Sequence, residues 1–232
     1  MKNFSFSKIA EIRSDFPSKF GIPRQSGLVP QLRAEIVFEP EYRVPEALRG
    51  IEGYSHLWLI WQFSEAVRED GAWSPTVRPP RLGGNRRMGV FATRSPYRPN
   101  PIGLSSVRLE GVRTDAALGP VLIVSGADLL NGTPILDIKP YLPFTDCHPD
   151  AAGGFADKKK SYALRVEFPE TLSDLLPPDC AAAVTALLEG DPRPSYQDDP
   201  ERVYGMEYGD FEVCFTVSDG CARVTEVRKR SR

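Results

Sequence analysis

Through its first two thirds this chain is cut every few residues by glycine or proline, of which it holds 19 and 22, and the runs left between them are short and β-prone. Strands that follow one another without long helices between them build a barrel or a strongly bent sheet, not alternating βαβ units. The runs predict strands over residues 9–13, 32–38, 56–63, 88–93, 102–109, 121–126 and 135–138, with one helix over 44–51 behind Pro45. Trp58 and Trp61 flank Leu59 and Ile60 with no polar alternation before Gln62, so 56–63 reads as a strand covered on both faces.

After Pro149 the composition shifts. Ala151-Ala152-Gly153-Gly154 and Lys158-Lys159-Lys160 read as a connector, followed by a strand over 162–168, an amphipathic helix over 178–189, a proline-rich loop, and strands over 203–208, 211–217 and 222–228. Ser218-Asp219-Gly220 supplies a tight turn for the last hairpin. The expected fold class is therefore mainly β: a barrel-like N-terminal domain over 1–150 and a smaller α+β C-terminal domain over 160–232.

Several function classes are disfavoured. With 41% hydrophobic residues and no apolar run approaching the roughly 18 a membrane helix needs, no membrane span is expected. Met1 to Phe6 lack the apolar run and cleavage site of a secretory leader, so a cytoplasmic location is expected. Cys147, Cys180, Cys214 and Cys221 show no Cys-x-x-Cys spacing and only His56 and His148 could join them, so no metal site is expected. Cys214 and Cys221 could face each other across a hairpin, but as reduced thiols in a cytosol.

A net charge of -2 conceals a segregation. Between Asp70 and Glu110 there is no acidic residue, while Arg78, Arg81, Arg86, Arg87, Arg94, Arg98 and Arg108 fall inside that interval. Such a stretch is either a solvated face or a footprint for an anionic partner, and the exclusion of acids favours phosphate or nucleic acid. Arg78, Arg81, Arg86, Arg87 and Arg98 are the nucleic-acid-binding candidates.

Three segments carry candidate chemistry. Arg94-Ser95-Pro96-Tyr97-Arg98-Pro99-Asn100-Pro101 is held extended by its prolines, and it offers two guanidinium forks and an amide on a stiff mount. Asp137 and Lys139 alternate with Ile138 on one face of a strand, and Tyr141 continues that row. They form either a surface ion pair or one wall of a cleft. Phe20-Gly21-Ile22-Pro23-Arg24-Gln25-Ser26-Gly27 is a loop of the kind that grips small ligands.

Taken together and in order, Pro23-Arg24-Gln25, Gly53-Tyr54-Ser55-His56-Leu57-Trp58, Arg78-Pro79-Pro80-Arg81-Leu82-Gly83-Gly84-Asn85, Gly89-Val90-Phe91-Ala92-Thr93-Arg94-Ser95, Arg98-Pro99-Asn100-Pro101-Ile102-Gly103 and Asp137-Ile138-Lys139-Pro140-Tyr141 resemble the TsaA-like, or TrmO, family. The resemblance covers about residues 9–144, and Asp191-Pro192-Arg193-Pro194-Ser195-Tyr196 resembles a motif of the bacterial members' C-terminal domain. It implies a dimeric, single-sheet β-barrel methyltransferase that uses S-adenosylmethionine to methylate N6 of threonylcarbamoyladenosine beside the tRNA anticodon, with the anticodon stem-loop as partner. The donor would be held by Pro23, Arg24, Gln25, His56, Arg94, Leu104 and the turn Asp128, Leu129, Leu130, Asn131. Relatives usually have Asp where Asn131 stands, which puts any contact needing a carboxylate there in question.

No Gly-x-Gly-x-x-Gly follows a strand, so a Rossmann methyltransferase is disfavoured on the residues themselves. Methyl transfer from a sulfonium needs alignment more than a strong base. Asn100, whose carbonyl could hold a hydrogen of the target amine, is the first catalytic candidate, and Asp137 and Tyr141 are the next. Two rivals remain. One is a non-catalytic RNA-binding module in which Trp73 and Tyr97 stack on bases, and the other is a phosphate-ester hydrolase built on Asp137 and His56.

Overall fold

A computed structural model describes residues 4–65, 73–79, 86–159, 162–194, 197 and 199–230. Six strands close into an antiparallel barrel: β1 (Ala10–Ser14), β2 (Arg33–Phe38), β3 (His56–Gln62), β6 (Ile102–Asp115), β7 (Gly119–Ser125) and β8 (Pro134–Pro140). The order around the barrel is β1-β2-β7-β6-β3-β8, with β8 returning to β1. Every strand has a neighbour on both sides, although β7 reaches only as far as Arg108 of β6 and leaves that strand's first half paired with β3 alone. A two-stranded ribbon, β4 (Thr76–Val77) with β5 (Met88–Gly89), stands apart from it.

The period of two sorts residues between the barrel's inside and outside. In β3 the inward Leu57, Leu59 and Trp61 are buried, while His56, Trp58 and Ile60 face outward and are half-buried. That corrects the expectation that both faces of this strand are covered. Gly103 pairs with Trp61, and a Cβ on it would lie 2.2 Å from the indole ring, so only glycine leaves room for that ring inside the barrel.

β8 contains a bulge, because Trp61 pairs with Ile135 but the next residue, Ile60, pairs with Asp137. The skipped Leu136 inverts the alternation. Ile135 is buried with Trp61, yet Asp137 and Lys139 join Ile60 and Trp58 on the outer face.

Other expectations are also corrected. Residues 44–51 form two 3-10 turns, Pro45–Leu48 and Ile51–Gly53, instead of one helix, because Gly50 between them sits at φ +89. The strand expected over 88–93 stops at Gly89, and a 3-10 turn over Val90–Ala92 takes over, its first amide donating to the carbonyl of Pro75. The strand from Ile102 runs on to Asp115, past its expected end at 109, with an irregularity between Leu109 and Gly111. Cys214 pairs in register with Glu226 and Cys221 with Ser218, so the two thiols do not face each other.

Beyond α1 (Pro143–Asp146) lie β9 (Arg165–Glu167), α2 (Glu170–Ser173), α3 (Pro178–Glu189), β10 (Tyr204–Tyr208), β11 (Phe211–Ser218) and β12 (Cys221–Lys229). The four strands form a sheet in the order β10-β11-β12-β9, with β9 parallel to β12. β9 is shorter than the strand expected over 162–168. Asp219 and Gly220 both take positive φ in the β11–β12 turn, the conformation a two-residue hairpin requires.

Core membership crosses the connector. The barrel interior is filled by residues such as Ile12, Ile36, Leu57, Leu59, Leu122 and Ile135. The second core gathers Val184, Leu188, Met206, Val213 and Phe215, but also Phe16, Val29 and Leu32 from the loop between β1 and β2, with Phe20 and Ile22 packed against it. Gly21, at φ +96, lies so close to Met206 that a Cβ would meet its sulfur at 2.6 Å. The loop carrying Pro23, Arg24 and Gln25 is thus anchored on the C-terminal unit.

Candidate active site

At one end of the barrel three segments converge. Ser26 Oγ accepts from the amide of Ser106 in β6 at 3.1 Å, and the amide of Gly27 donates to the carbonyl of Gly126 at 2.8 Å. That approach uses glycine at both sides: Gly126 is at φ +73, and a Cβ there would sit 3.3 Å from Gly27 Cα. Arg94 Nη1 donates to Gln25 Oε1, and Arg24 Nη2 to the main-chain carbonyl of Arg193 at 2.9 Å.

Beneath this loop lies Asp128. Ser105 Oγ donates to its Oδ1 at 2.6 Å, and Trp61 Nε1 donates to Ser105 Oγ at 3.0 Å, linking the barrel interior to its rim. Burial pushes the Asp128 carboxyl above its ordinary value of 3.8, against the opposing pull of the Ser105 and Ser26 hydrogen bonds and the Arg94 charge. A half-buried carboxylate held this way favours positive or hydroxyl-rich ligand groups. The following turn is fixed through Asn131, whose Oδ1 accepts from the amide of Ser14 at 3.1 Å while its own amide donates to the carbonyl of Phe16.

A second grouping occupies the outer face of β3, β6 and β8. Tyr141 packs on Trp58 with ring centroids 5.5 Å apart and on His56 at 6.1 Å. Trp58 Nε1 donates to Asp146 Oδ2 at 2.8 Å. The amide of Leu142 and that indole together hold the Asp146 carboxyl below its ordinary range. Burial, with Cys147 and Asp146 nearby, pushes Tyr141 up, so it is a neutral phenol around pH 7. A shallow cavity of about 390 Å³ here is lined by Trp58, Ile60, Leu104, Lys139, Asp146 and His148.

The proline-rich corner is pinned by its own backbone. Arg98 donates through its amide to Pro96 at 2.8 Å and through Nη1 to Thr93 at 3.3 Å, and the carbonyl of Pro101 accepts from Phe63 at 2.9 Å. This leaves the Asn100 side chain exposed on a rigid turn. Nearby, the exposed Trp73 and Phe91 rings lie 6.1 Å apart.

The profile of the tRNA-methyltransferase O N-terminal domain matches residues 11–147, and that of the TrmO C-terminal domain matches residues 161–230. The chain belongs to the tRNA-methyltransferase O family. It is 41% identical over 240 residues to an Escherichia coli protein named tRNA (adenine(37)-N6)-methyltransferase, covering 99% of this chain and all of that one. It is 44% identical over 217 residues to a Pseudomonas aeruginosa protein named as a putative S-adenosylmethionine-dependent methyltransferase, covering 90% of each. A crystal structure of TrmO from Pseudomonas aeruginosa superposes with a TM-score of 0.80 at 37% identity, over 99% of this chain and 98% of that one.

Within this TrmO-family barrel, the structure brings together Gln25, Arg94 and Asp128, and Gln25 Nε2 donates to the main-chain carbonyl of Arg24, whose guanidinium reaches the carbonyl of Arg193. Leu104, exposed on β6, borders the outer cavity, and His56 lies against Tyr141 with its Nδ1 2.9 Å from Ser55 Oγ. Leu129 is buried in the barrel core, so any ligand contact it makes would be through its main chain. The Leu130 carbonyl accepts from Thr133 Oγ1 at 2.7 Å. Asp137 is engaged by Lys139 at 2.8 Å and by the amide of Ile138. Arg78 and Arg86 are exposed, Arg87 is exposed and bonded to Thr76, and Arg98 is half-buried, whereas Arg81 lies outside the described residues.

Sequence reasoning missed Ser105 and Asp146, and it placed Ser26 and Trp58 inside motifs without giving either a role. Ser105 had a readable signal: it is a polar residue at an inward position of a strand whose inward neighbours are Gly103 and Val107. Asp146 had none, because only the turn after Tyr141 carries it to Trp58. Among the described residues no group of three or more His, Cys, Asp or Glu side chains is placed to hold a metal, and no helix is long and apolar enough to cross a membrane.

Proposed function

We propose that this chain transfers a methyl group from S-adenosylmethionine to N6 of adenine 37 of tRNA. We further propose that the target carries a threonylcarbamoyl group, and that the enzyme works on the anticodon stem-loop as a cytoplasmic homodimer. The observation that carries this reading is the convergence of Arg24, Gln25, Ser26, Arg94 and Asp128 at one barrel end, in a chain that aligns end to end with a protein named for this reaction.

The residues suit the donor's chemistry. Arg24 and Arg94 are cations fit for its carboxylate, Gln25 and the main chain of 128–131 offer polar partners, and the half-buried Asp128 fits an ammonium or ribose hydroxyls. When bound, the sulfonium supplies a methyl group already activated for in-line displacement. The protein's share is then alignment in a surround fixed beforehand. Asn100, on its proline-locked turn, presents a carbonyl able to hold an N6 hydrogen while the nitrogen lone pair turns to the methyl group; as the new C–N bond replaces the methyl–sulfur bond, that acidified proton passes to water. Tyr141, a neutral phenol, is suited to hydrogen bonding and not to proton abstraction, and Asp137 is partly neutralised by Lys139.

Arg78, Arg81, Arg86, Arg87 and Arg98 supply the phosphate-facing charge, and Trp73 with Phe91 offers exposed rings for unpaired bases. The unit over 160–232 adds to the RNA-facing surface. Calorimetry with S-adenosylhomocysteine and no RNA is the first test. Binding is expected, and no heat at millimolar ligand with folded protein removes the methyltransferase reading in favour of a plain RNA binder. Mass spectrometry of anticodon-loop nucleosides, from tRNA with and without the threonylcarbamoyl group, then decides the acceptor. Light scattering at micromolar protein should give twice the 25.8 kDa chain mass, and an active monomer would refute the dimer.

A further inference from the structure

The C-terminal unit contains a buried ion pair that the reaction as described does not use. Helix α3 stops at Glu189, and Asp191 follows in the left-handed region at φ 50, a conformation aspartate tolerates better than most residues. Pro192 prevents the helix from continuing. The chain doubles back so that Arg193 Nε and Nη2 meet Asp191 Oδ1 and Oδ2 at 2.9 and 3.0 Å, a two-pronged fork whose side chains are only 9% and 13% exposed. Tyr162 donates to Asp191 Oδ2 at 3.0 Å, and the Arg193 amide points at Oδ1 from 3.3 Å.

Burial raises the Asp191 carboxyl, but Arg193's hydrogen bonds and charge outweigh it and hold the group below its ordinary range, so the pair is ionised at neutral pH. Buried pairs of this kind add little net stability, yet they fix one geometry, because breaking either partner leaves a buried charge uncompensated. What this one fixes is the carbonyl of Arg193, which accepts from Arg24 Nη2 at 2.9 Å, 169 residues away along the chain. Arg24 is followed by Gln25, bonded to Arg94, and by Ser26, bonded to Ser106. Phe20, stacked 6.4 Å from Tyr204, and Gly21, against Met206, fasten the segment before Pro23.

We infer that Asp191 and Arg193 are positioning residues for the methyl-donor site: the fork fixes the Arg193 carbonyl, and that carbonyl holds the Arg24 guanidinium where the donor binds. This rests on the donor-site reading above. It gives the C-terminal unit a part in donor binding distinct from any contact with RNA. The fork is buried, so its effect on the donor passes through Arg24 and not through a direct contact.

The test is calorimetry of the full chain with S-adenosylhomocysteine for the wild type, Asp191→Asn, Arg24→Ala and the double variant, with tRNA affinity and thermal midpoint measured alongside. Asp191→Asn should weaken donor binding by roughly tenfold, the size typical of coupling between residues in one network, and Arg193→Lys, which cannot form the fork, should do the same. In the Arg24→Ala background Asp191→Asn should cost less than about twofold more, because the relay is already cut. A fork that merely stabilises the unit would instead lower the midpoint with donor affinity kept, or give losses that multiply; either result overturns the inference. A loss of tRNA affinity with donor affinity unchanged would assign the fork to RNA and overturn it too. Should Asp191→Asn fail to fold, Tyr162→Phe removes one bond from the fork at an exposed site, and it must weaken donor binding in the same direction or the inference falls. A wild type that does not bind S-adenosylhomocysteine would sink the underlying methyltransferase reading itself, a different outcome from a wild type that binds and variants that match it.

Discussion

Ser105 and Asp128 share a 2.6 Å hydrogen bond, and because Ser105 also accepts from Trp61 it ties the barrel's interior to the carboxyl at its rim. A carboxylate desolvated in this position is a liability to the free protein, which the proposed donor site would put to use.

Asp128→Asn should therefore stabilise the ligand-free protein at pH 7. The amide keeps an oxygen for Ser105 and sheds the buried charge, so a thermal midpoint higher by roughly 2–4 °C is expected, the shift about 1 kcal/mol gives a chain of this size. The folded carboxyl titrates above its unfolded value of 3.8, so the wild type gains stability as pH falls through that raised range and the variant does not. The gap between them should close with acidification. Scanning calorimetry at pH 7 and pH 5 checks this, and a gap that widens would contradict it. Donor affinity should fall in the same variant.

Gly103→Ala sets a methyl group 2.2 Å from the Trp61 ring. Overfilling of this kind costs about 1–3 kcal/mol. The expected result is a lower urea midpoint with a changed indole emission, since Trp61 must leave its place beside Phe63, 4.2 Å away between centroids.

Asn131 answers a question the sequence posed. Its Oδ1 serves as an acceptor for the Ser14 amide, a role that needs an oxygen but no charge. Asn131→Asp should leave the thermal midpoint and S-adenosylhomocysteine affinity nearly unchanged, whereas Asn131→Ala should cost about 1 kcal/mol, the net worth of one such bond. An Asp variant that binds the donor markedly better would mean the carboxylate touches the ligand instead.

The proposed roles of Asn100 and Arg86 separate chemistry from grip. Asn100→Ala should lower kcat by about a hundredfold with donor and tRNA affinities kept, since holding the amine matters in the transition state. Arg86→Ala, at an exposed site, should weaken tRNA binding and flatten the slope of log affinity against log salt by roughly 0.7–0.9. Single-turnover rates and filter binding across salt concentrations read both. If Asn100→Ala affects only tRNA affinity, or Arg86→Ala alters neither affinity nor slope, the roles are wrongly assigned.

Much of the barrel was legible in the sequence, because its signals are local. Glycine and proline spacing marked where strands end, but which face of 56–63 is covered was not legible there: Trp58 and Ile60 are as apolar as Leu57, Leu59 and Trp61, and only the closed barrel puts the latter three inside. The Gly50 break between two 3-10 turns was equally local and was overlooked. The arginine interval and the proline-locked turn at Asn100 were visible as composition. Tertiary structure alone decided the rest. The bulge at Leu136 turns Asp137 and Lys139 outward, because β8 must pair with both β1 and β3 to close the barrel, and closure is not a property of one strand. Phe16 joins the second core, with Phe20 and Ile22 packed against it, although the loop that carries them lies between two barrel strands. The links from Ser105 to Asp128 and from Arg24 to Arg193 join positions 23 and 169 residues apart, and no propensity or period spans such a distance; the pairing of β6 with β7 in the barrel makes the first, and the seating of the β1–β2 loop on the second core makes the second.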